Sequence, residues 1–226
     1  MEEKITKKRK SYYISEQQLI QNVGILFENL QNQVELKVEL EEYGYDEQEI
    51  AKGKALYDKA LEEYQKNIKE GQEETSAYQI FTQKIDEVSE IYSTDRKKAR
   101  IIFKDEAGTL INLRLKGKPS QSIAGMLDDM KVFYTTIQQN ENLLNPLKRL
   151  KISAEHITQQ IQNLTDTEKA YANYTREKGE SQQATKDKNL AFSNMEKWVR
   201  EFYSIAKIAL EDKPQLLESV GKFVRS

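Results

Sequence analysis

The chain has no cysteine, so disulfides, thiolate metal sites and cysteine nucleophiles are excluded together. Proline occurs three times and glycine nine times in 226 residues, and both residues weaken helix interiors, so their scarcity favours long uninterrupted helices. No apolar run approaches the roughly 20 residues that span a bilayer. The first ten residues carry charge without an apolar segment, so they do not read as a secretory signal, and a cytoplasmic location is expected. A formal net charge of −2 favours neither nucleic acid nor an acidic partner in bulk. One histidine and one tryptophan complete the scarce residues.

Charge and helical periodicity are what the chain does have. Charged residues make up 32% and hydrophobic residues 38%, the balance of amphipathic helices with a narrow apolar stripe and a wide solvated face. Ser15 with Gln18 forms a capping box that opens a first helix, along which Leu19, Ile20, Val23, Phe27, Leu30 and Val34 recur at spacings of three and four. Gly44 ends it. Asp46 caps a second helix carrying Ile50, Tyr57, Leu61, Tyr64 and Ile68 as far as Gly71. A third runs from about Thr75 with Tyr78, Phe81, Ile85, Val88, Tyr92, Ala99 and Ile102, its seam interrupted by Asp95.

The pattern then starts again, and one constant offset superimposes the two halves without a gap. Ile20, Val23, Phe27 and Leu30 fall on Leu127, Met130, Tyr134 and Ile137, and Ile85, Val88, Tyr92 and Ala99 fall on Phe192, Met195, Val199 and Ala206. The cap Asp46 falls on Ser153, which weighs more than any apolar match because a cap is a single event and not a period. By this parity residues 106–115 read as a short helix, since Asp105 matches Asp212 ahead of Pro214. The alternation of Ile111, Leu113 and Leu115 keeps a β-hairpin over 101–115 as the alternative. Pro146, where the first half has Glu39, predicts a kink or break near Asn145. Lys116 to Ser122, with Gly117 and Pro119, is the boundary between halves. The closing stretch 210–225, and the Lys116–Pro119 turn leading into an amphipathic helix, are similar to internally duplicated all-helical bacterial proteins of unknown function. That resemblance implies an architecture and no activity.

The common catalytic spacings are missing: no phosphate loop, dinucleotide glycine triplet, zincin helix or nucleophile elbow. A di-iron bundle needs two Glu-x-x-His pairs, and the only histidine, His156, has Ser153 three residues before it. His156 is a candidate general base by residue type. Its place in the first turn of a helix, with no evident orienting partner, makes a structural or solvated histidine the plainer reading. Tyr57, Tyr64, Tyr92 and Tyr171 at stripe positions fit a packed core better than a ligand row. Trp198, Phe202 and Tyr203 form a partner-docking patch if exposed. Lys7, Lys8, Arg9 and Lys10 in the N-terminal arm, and Arg96, Lys97 and Arg100 near the end of the third helix, are candidate anion-binding residues for nucleic acid or an anionic surface.

The sequence therefore predicts an all-α protein of two pseudo-repeated antiparallel bundles, each with three long helices and a short one. Residues 1–13 form a basic disordered arm, 14–116 the first bundle and 117–226 the second. The leading function is a non-catalytic scaffold or protein-interaction protein with a protein partner or self-association. No catalytic residue, cofactor or metal is expected. Association with nucleic acid or an anionic surface through 4–10 and 96–118 is one alternative, and a small-ligand binder or enzyme in a bundle core is another.

Overall fold

In the computed structural model, which describes residues 14–220, every regular element is helical. The α-helices are α1 (Glu16–Asn32), α2 (Val34–Glu41), α3 (Glu47–Ile102), α4 (Ala107–Asn112), α5 (Ile123–Gln138), α6 (Glu141–Leu147), α7 (Ala154–Ala209) and α8 (Pro214–Ser219), with a 3₁₀ turn at Lys148–Leu150. The short-helix reading of 106–115 holds, as α4, and the hairpin does not form. No helix among the described residues is long and apolar enough to cross a membrane. The expected arm at 1–13 lies outside the described residues.

The caps sit where the sequence places them. Ser15 Oγ accepts from the Gln18 amide at 3.2 Å, Asp46 Oδ1 from the Glu49 amide at 2.8 Å, and Ser153 Oγ from the His156 amide at 3.2 Å. The starts of paired elements keep the offset that sets Ile20 on Leu127: Glu16 pairs with Ile123, Val34 with Glu141, Glu47 with Ala154, and Ala107 with Pro214. Gly44 (φ +88°) and Lys151 (φ +64°) close the turns before α3 and α7 in the left-handed region.

The helices are divided differently from expectation. The second and third predicted helices are one continuous helix of 56 residues, α3, and the corresponding segment in the second half is α7, also 56 residues. Gly71 does not interrupt α3, because one glycine costs only about 1 kcal/mol in a helix and the prolines all lie outside α3 and α7. The first predicted helix is instead broken at Gln33, whose extended backbone (φ −105°, ψ 102°) shifts the phase of α2. Leu36 and Leu40 then face the core while Val34 is left 74% exposed. The break anticipated near Asn145 falls at Asn140, which is extended and caps α6. Pro146 is accommodated inside α6, just ahead of the 3₁₀ turn.

Packing also divides the chain differently from the expected 14–116 and 117–226. Among the described residues, one compact unit is built from 14–69 with 183–220, and the other from Glu70–Gln182. The first unit holds α1, α2 and the start of α3 together with the end of α7 and α8. The second holds the end of α3 and α4 together with α5, α6 and the start of α7. Each unit thus combines the opening elements of one half with the closing elements of the other.

Each unit has its own apolar core. In the first, α1 contributes Ile20, Val23, Phe27 and Leu30, and α7 contributes Phe192, Met195, Trp198 and Phe202. In the second, α5 contributes Leu127, Met130, Tyr134 and Ile137, and α3 contributes Phe81, Ile85, Val88 and Tyr92. The two long helices run antiparallel where they meet within each unit. Tyr64 packs on Phe192 and Asn67 bonds to Thr185 in the first, while Phe81 packs on Tyr171 in the second.

Candidate functional site

Trp198 and Phe202 are buried in the first unit, so they do not form the exposed docking patch that the sequence allowed. The helical stripe turns both rings inward, where Trp198 stacks between Phe27 and Phe202 and Tyr45 meets both edge-on. The indole N–H donates to Glu49 Oε1 at 3.0 Å, which satisfies the one polar atom of the ring. Gly53 faces this ring so closely that a Cβ there would overlap Trp198 Cζ2. Tyr203, half-buried, donates its hydroxyl to the Val220 carbonyl at 2.7 Å and ties the end of α8 to α7.

Of the predicted anion-binding residues, Arg96 is buried and serves the backbone instead. Its Nη2 donates to the carbonyls of Leu115 at 3.1 Å and Gly117 at 2.9 Å, holding the loop after α4 against α3. A guanidinium at that depth needs such acceptors, because burying its charge without them is costly. Lys97 and Arg100 are exposed. Lys7, Lys8, Arg9 and Lys10 lie outside the described residues.

The structure joins two residues that the sequence reading kept apart. Asp95, only 1% exposed, has its Oδ2 at 2.5 Å from His156 Nε2 and 3.1 Å from the Tyr134 hydroxyl, while Lys98 Nζ stands 3.3 Å from Oδ1. His156 therefore has a partner, contrary to the expectation of a lone histidine. The buried carboxylate accepts from side chains on three helices, and its hydrogen bonds replace the water it loses. Burial first, then the charge and hydrogen bond of Asp95, push the Tyr134 hydroxyl far above its ordinary pKa. This arrangement holds α3, α5 and α7 together.

A carboxylate trio, Glu70, Glu177 and Glu180, brings oxygens close enough to share a cation. Arg176 bonds to both Glu177 and Glu180, so a guanidinium already supplies positive charge there.

The first unit also carries an open groove of about 620 Å³. Phe27 and Leu30 of α1, Leu40 of α2, Tyr45 just before α3 and Ile50 in its first turn form its apolar floor. Lys37, Glu41, Asp46, Glu47 and Lys54 form its rim. On the rim Glu41, Asp46 and Glu47 stand against Lys37 and Lys54, and Lys54 is paired with Asp58, so the rim carries an excess of acid. Lys213 of α8 bridges Glu35 and Glu39. Burial first, then Glu201 and Glu49, push the Tyr45 hydroxyl up to about 12. No family model, curated protein or solved structure matches the chain.

Proposed function

We propose that the chain is a non-catalytic helical interaction protein, internally duplicated, whose first unit takes a basic amphipathic helix in the groove between α1, α2 and the start of α3. The groove carries the reading. An apolar floor with an acidic rim suits a helix that lays large apolar side chains inward and keeps lysine or arginine at its edges. The constant offset between paired element starts supports duplication, with the two halves having since acquired different surfaces. The non-catalytic reading rests on how the polar side chains are used: Asp95, His156 and Tyr134 bond to one another across three helices.

The test is a selection from a random peptide display library on the full chain and, in parallel, on Ala51→Arg. Ala51 is exposed and lines the groove, so arginine there fills it from the surface without replacing a core residue. Sequences that depend on the open groove should carry Lys or Arg between apolar residues at i, i+4 spacing, and Glu41→Lys with Glu47→Lys should weaken them at least tenfold. Enrichment of acidic sequences, or of none that Ala51→Arg blocks, would overturn the reading.

A further inference from the structure

The end of α3, with α4 and the loop after it, has a surface character that the groove reading does not use. Ile101 is 67% exposed and Ile111 57% exposed. In the same segments, Lys97, Arg100, Lys104, Lys116 and Lys118 are exposed. Lys97 stands one helical turn before Ile101 and so shares its face of α3. Buried Arg96 grips the carbonyls of Leu115 and Gly117, which holds the loop that carries Lys116 against α3. Two acidic residues also belong to this face, Asp105 beside Lys104 and Glu106 at the start of α4. Arg114 does not contribute, because Asp128 and Asp129 hold it.

The matching surface of the first unit lacks this combination. Ile208, the counterpart of Ile101 in α7, is also exposed, but Ser204 stands where α3 has Lys97 and Glu211 where the first half has Lys104. Positive charge is therefore added around one of two exposed isoleucines.

We infer that this face of the second unit docks on an anionic lipid surface, with Ile101 and Ile111 entering the headgroup layer and the cations pairing with lipid phosphates and carboxylates. A lipid surface fits better than nucleic acid, because large aliphatic side chains gain by leaving water among acyl chains and gain nothing against a phosphate backbone. It also fits the shape of the presenting elements: a helix end, a short helix and a loop can all settle into a soft planar layer. This site is separate from the groove and does not depend on its reading.

The experiment is flotation of the full chain with phosphatidylcholine vesicles, with and without phosphatidylserine, across a salt series. Three variants accompany it: Lys97→Glu with Arg100→Glu and Lys116→Glu, Ile101→Ser with Ile111→Ser, and Lys7→Glu with Lys8→Glu and Arg9→Glu. All the substituted positions on the face are exposed, and an unchanged thermal melt verifies that each variant folds. The parent should bind only the phosphatidylserine vesicles. The charge variant should lose at least tenfold, and the isoleucine variant several-fold with an unchanged salt slope. The arm variant should keep most of the binding. The inference is overturned if the parent ignores phosphatidylserine or if the arm variant alone abolishes binding. It is also overturned if a duplex oligonucleotide binds the parent and the isoleucine variant equally and displaces the vesicles, which would assign the cations to nucleic acid.

Discussion

In the first unit Glu49, the third residue of α3, reaches the end of α7 and accepts from the Trp198 indole. In the second unit its counterpart His156, the third residue of α7, reaches the end of α3 and bonds to Asp95. By the same offset Phe202 is the counterpart of Asp95, and Phe27 that of Tyr134. One backbone arrangement thus holds a stacked aromatic group in one unit and a buried polar triad in the other. The same holds one residue further along: Arg96 and Tyr203 both donate to the backbone after a short helix, one with a guanidinium and the other with a phenol. What recurs is the task of joining the third residue of one long helix to the far end of the other. The chemistry that performs it is free to differ.

Exchanging the two chemistries separates them most sharply. Phe202→Asp puts a charge among Trp198, Tyr45 and Leu30 with no donor set waiting for it. The loss should exceed the about 3–5 kcal/mol expected for Phe202→Ala and unfold the first unit. Asp95→Leu should cost less, about 1–3 kcal/mol, because only the buried Tyr134 hydroxyl is stranded while half-buried His156 can turn to water. Amide exchange read separately over 183–209 and 83–102 checks both. Equal losses at the two positions would show that the units do not differ in the way their side chains suggest.

Helix content, the caps at Ser15, Asp46 and Ser153, and the central core stripes of α1, α5 and the later part of α3 were legible in the sequence, since a 3.6-residue stripe and a cap are local signals. The joining of two predicted helices into α3 was not, because Gly71 resembles a stop and only the weak penalty of a single glycine argues against one. The composition of the units was not legible either. Periodicity marks which face of a helix is buried, and is silent on whether the partner comes from the same half of the chain. The sequence singled out Asp95 as a defect in a seam and His156 as solitary. Their pairing follows only once α3 and α7 are known to be antiparallel with Phe81 opposite Tyr171, a register that brings residue 95 beside residue 156. The burial of Trp198 was left open for the same reason: it depends on Phe27 and Tyr45, which lie far away in sequence.

Two glycines in α3, one in each unit, should respond with opposite signs. Gly53 meets the Trp198 ring, so Gly53→Ala forces that ring or the helix to move and should destabilise by about 1–3 kcal/mol. Gly71 has no neighbour within 4 Å of an added Cβ, and Gly71→Ala should stabilise by up to about 1 kcal/mol through helix propensity alone. Chemical denaturation of the two single variants beside the parent measures both. A stabilised Gly53→Ala would mean that the aromatic group of the first unit packs more loosely than its stacking distances indicate.

Tyr134→Phe has the most distinctive pH dependence of these changes. Tyr134→Phe removes a hydrogen bond to the buried Asp95 carboxylate, which should cost about 1.5–3 kcal/mol at pH 7. Because burial raises the Tyr134 pKa in the folded state, its contribution is fully present below the unfolded value of about 10 and is lost as pH rises beyond it. In that range the unfolded chain releases a proton that the folded chain keeps, so the parent loses about 1.4 kcal/mol per pH unit from this one group and the phenylalanine variant does not. The gap between them should therefore narrow above pH 10 and close near pH 11 to 12. Tyr45 of the first unit obeys the same sign, but its folded value of about 12 ends the window there, whereas that of Tyr134 continues beyond it. Urea midpoints for parent, Tyr134→Phe and Tyr45→Phe between pH 7 and 11.5 give the three slopes. A gap for Tyr134→Phe that stayed constant across that range would mean the phenol ionises as readily in the folded protein as in the unfolded one. The polar triad of the second unit would then be open to water, and its contrast with the aromatic group of the first would be one of residue type alone.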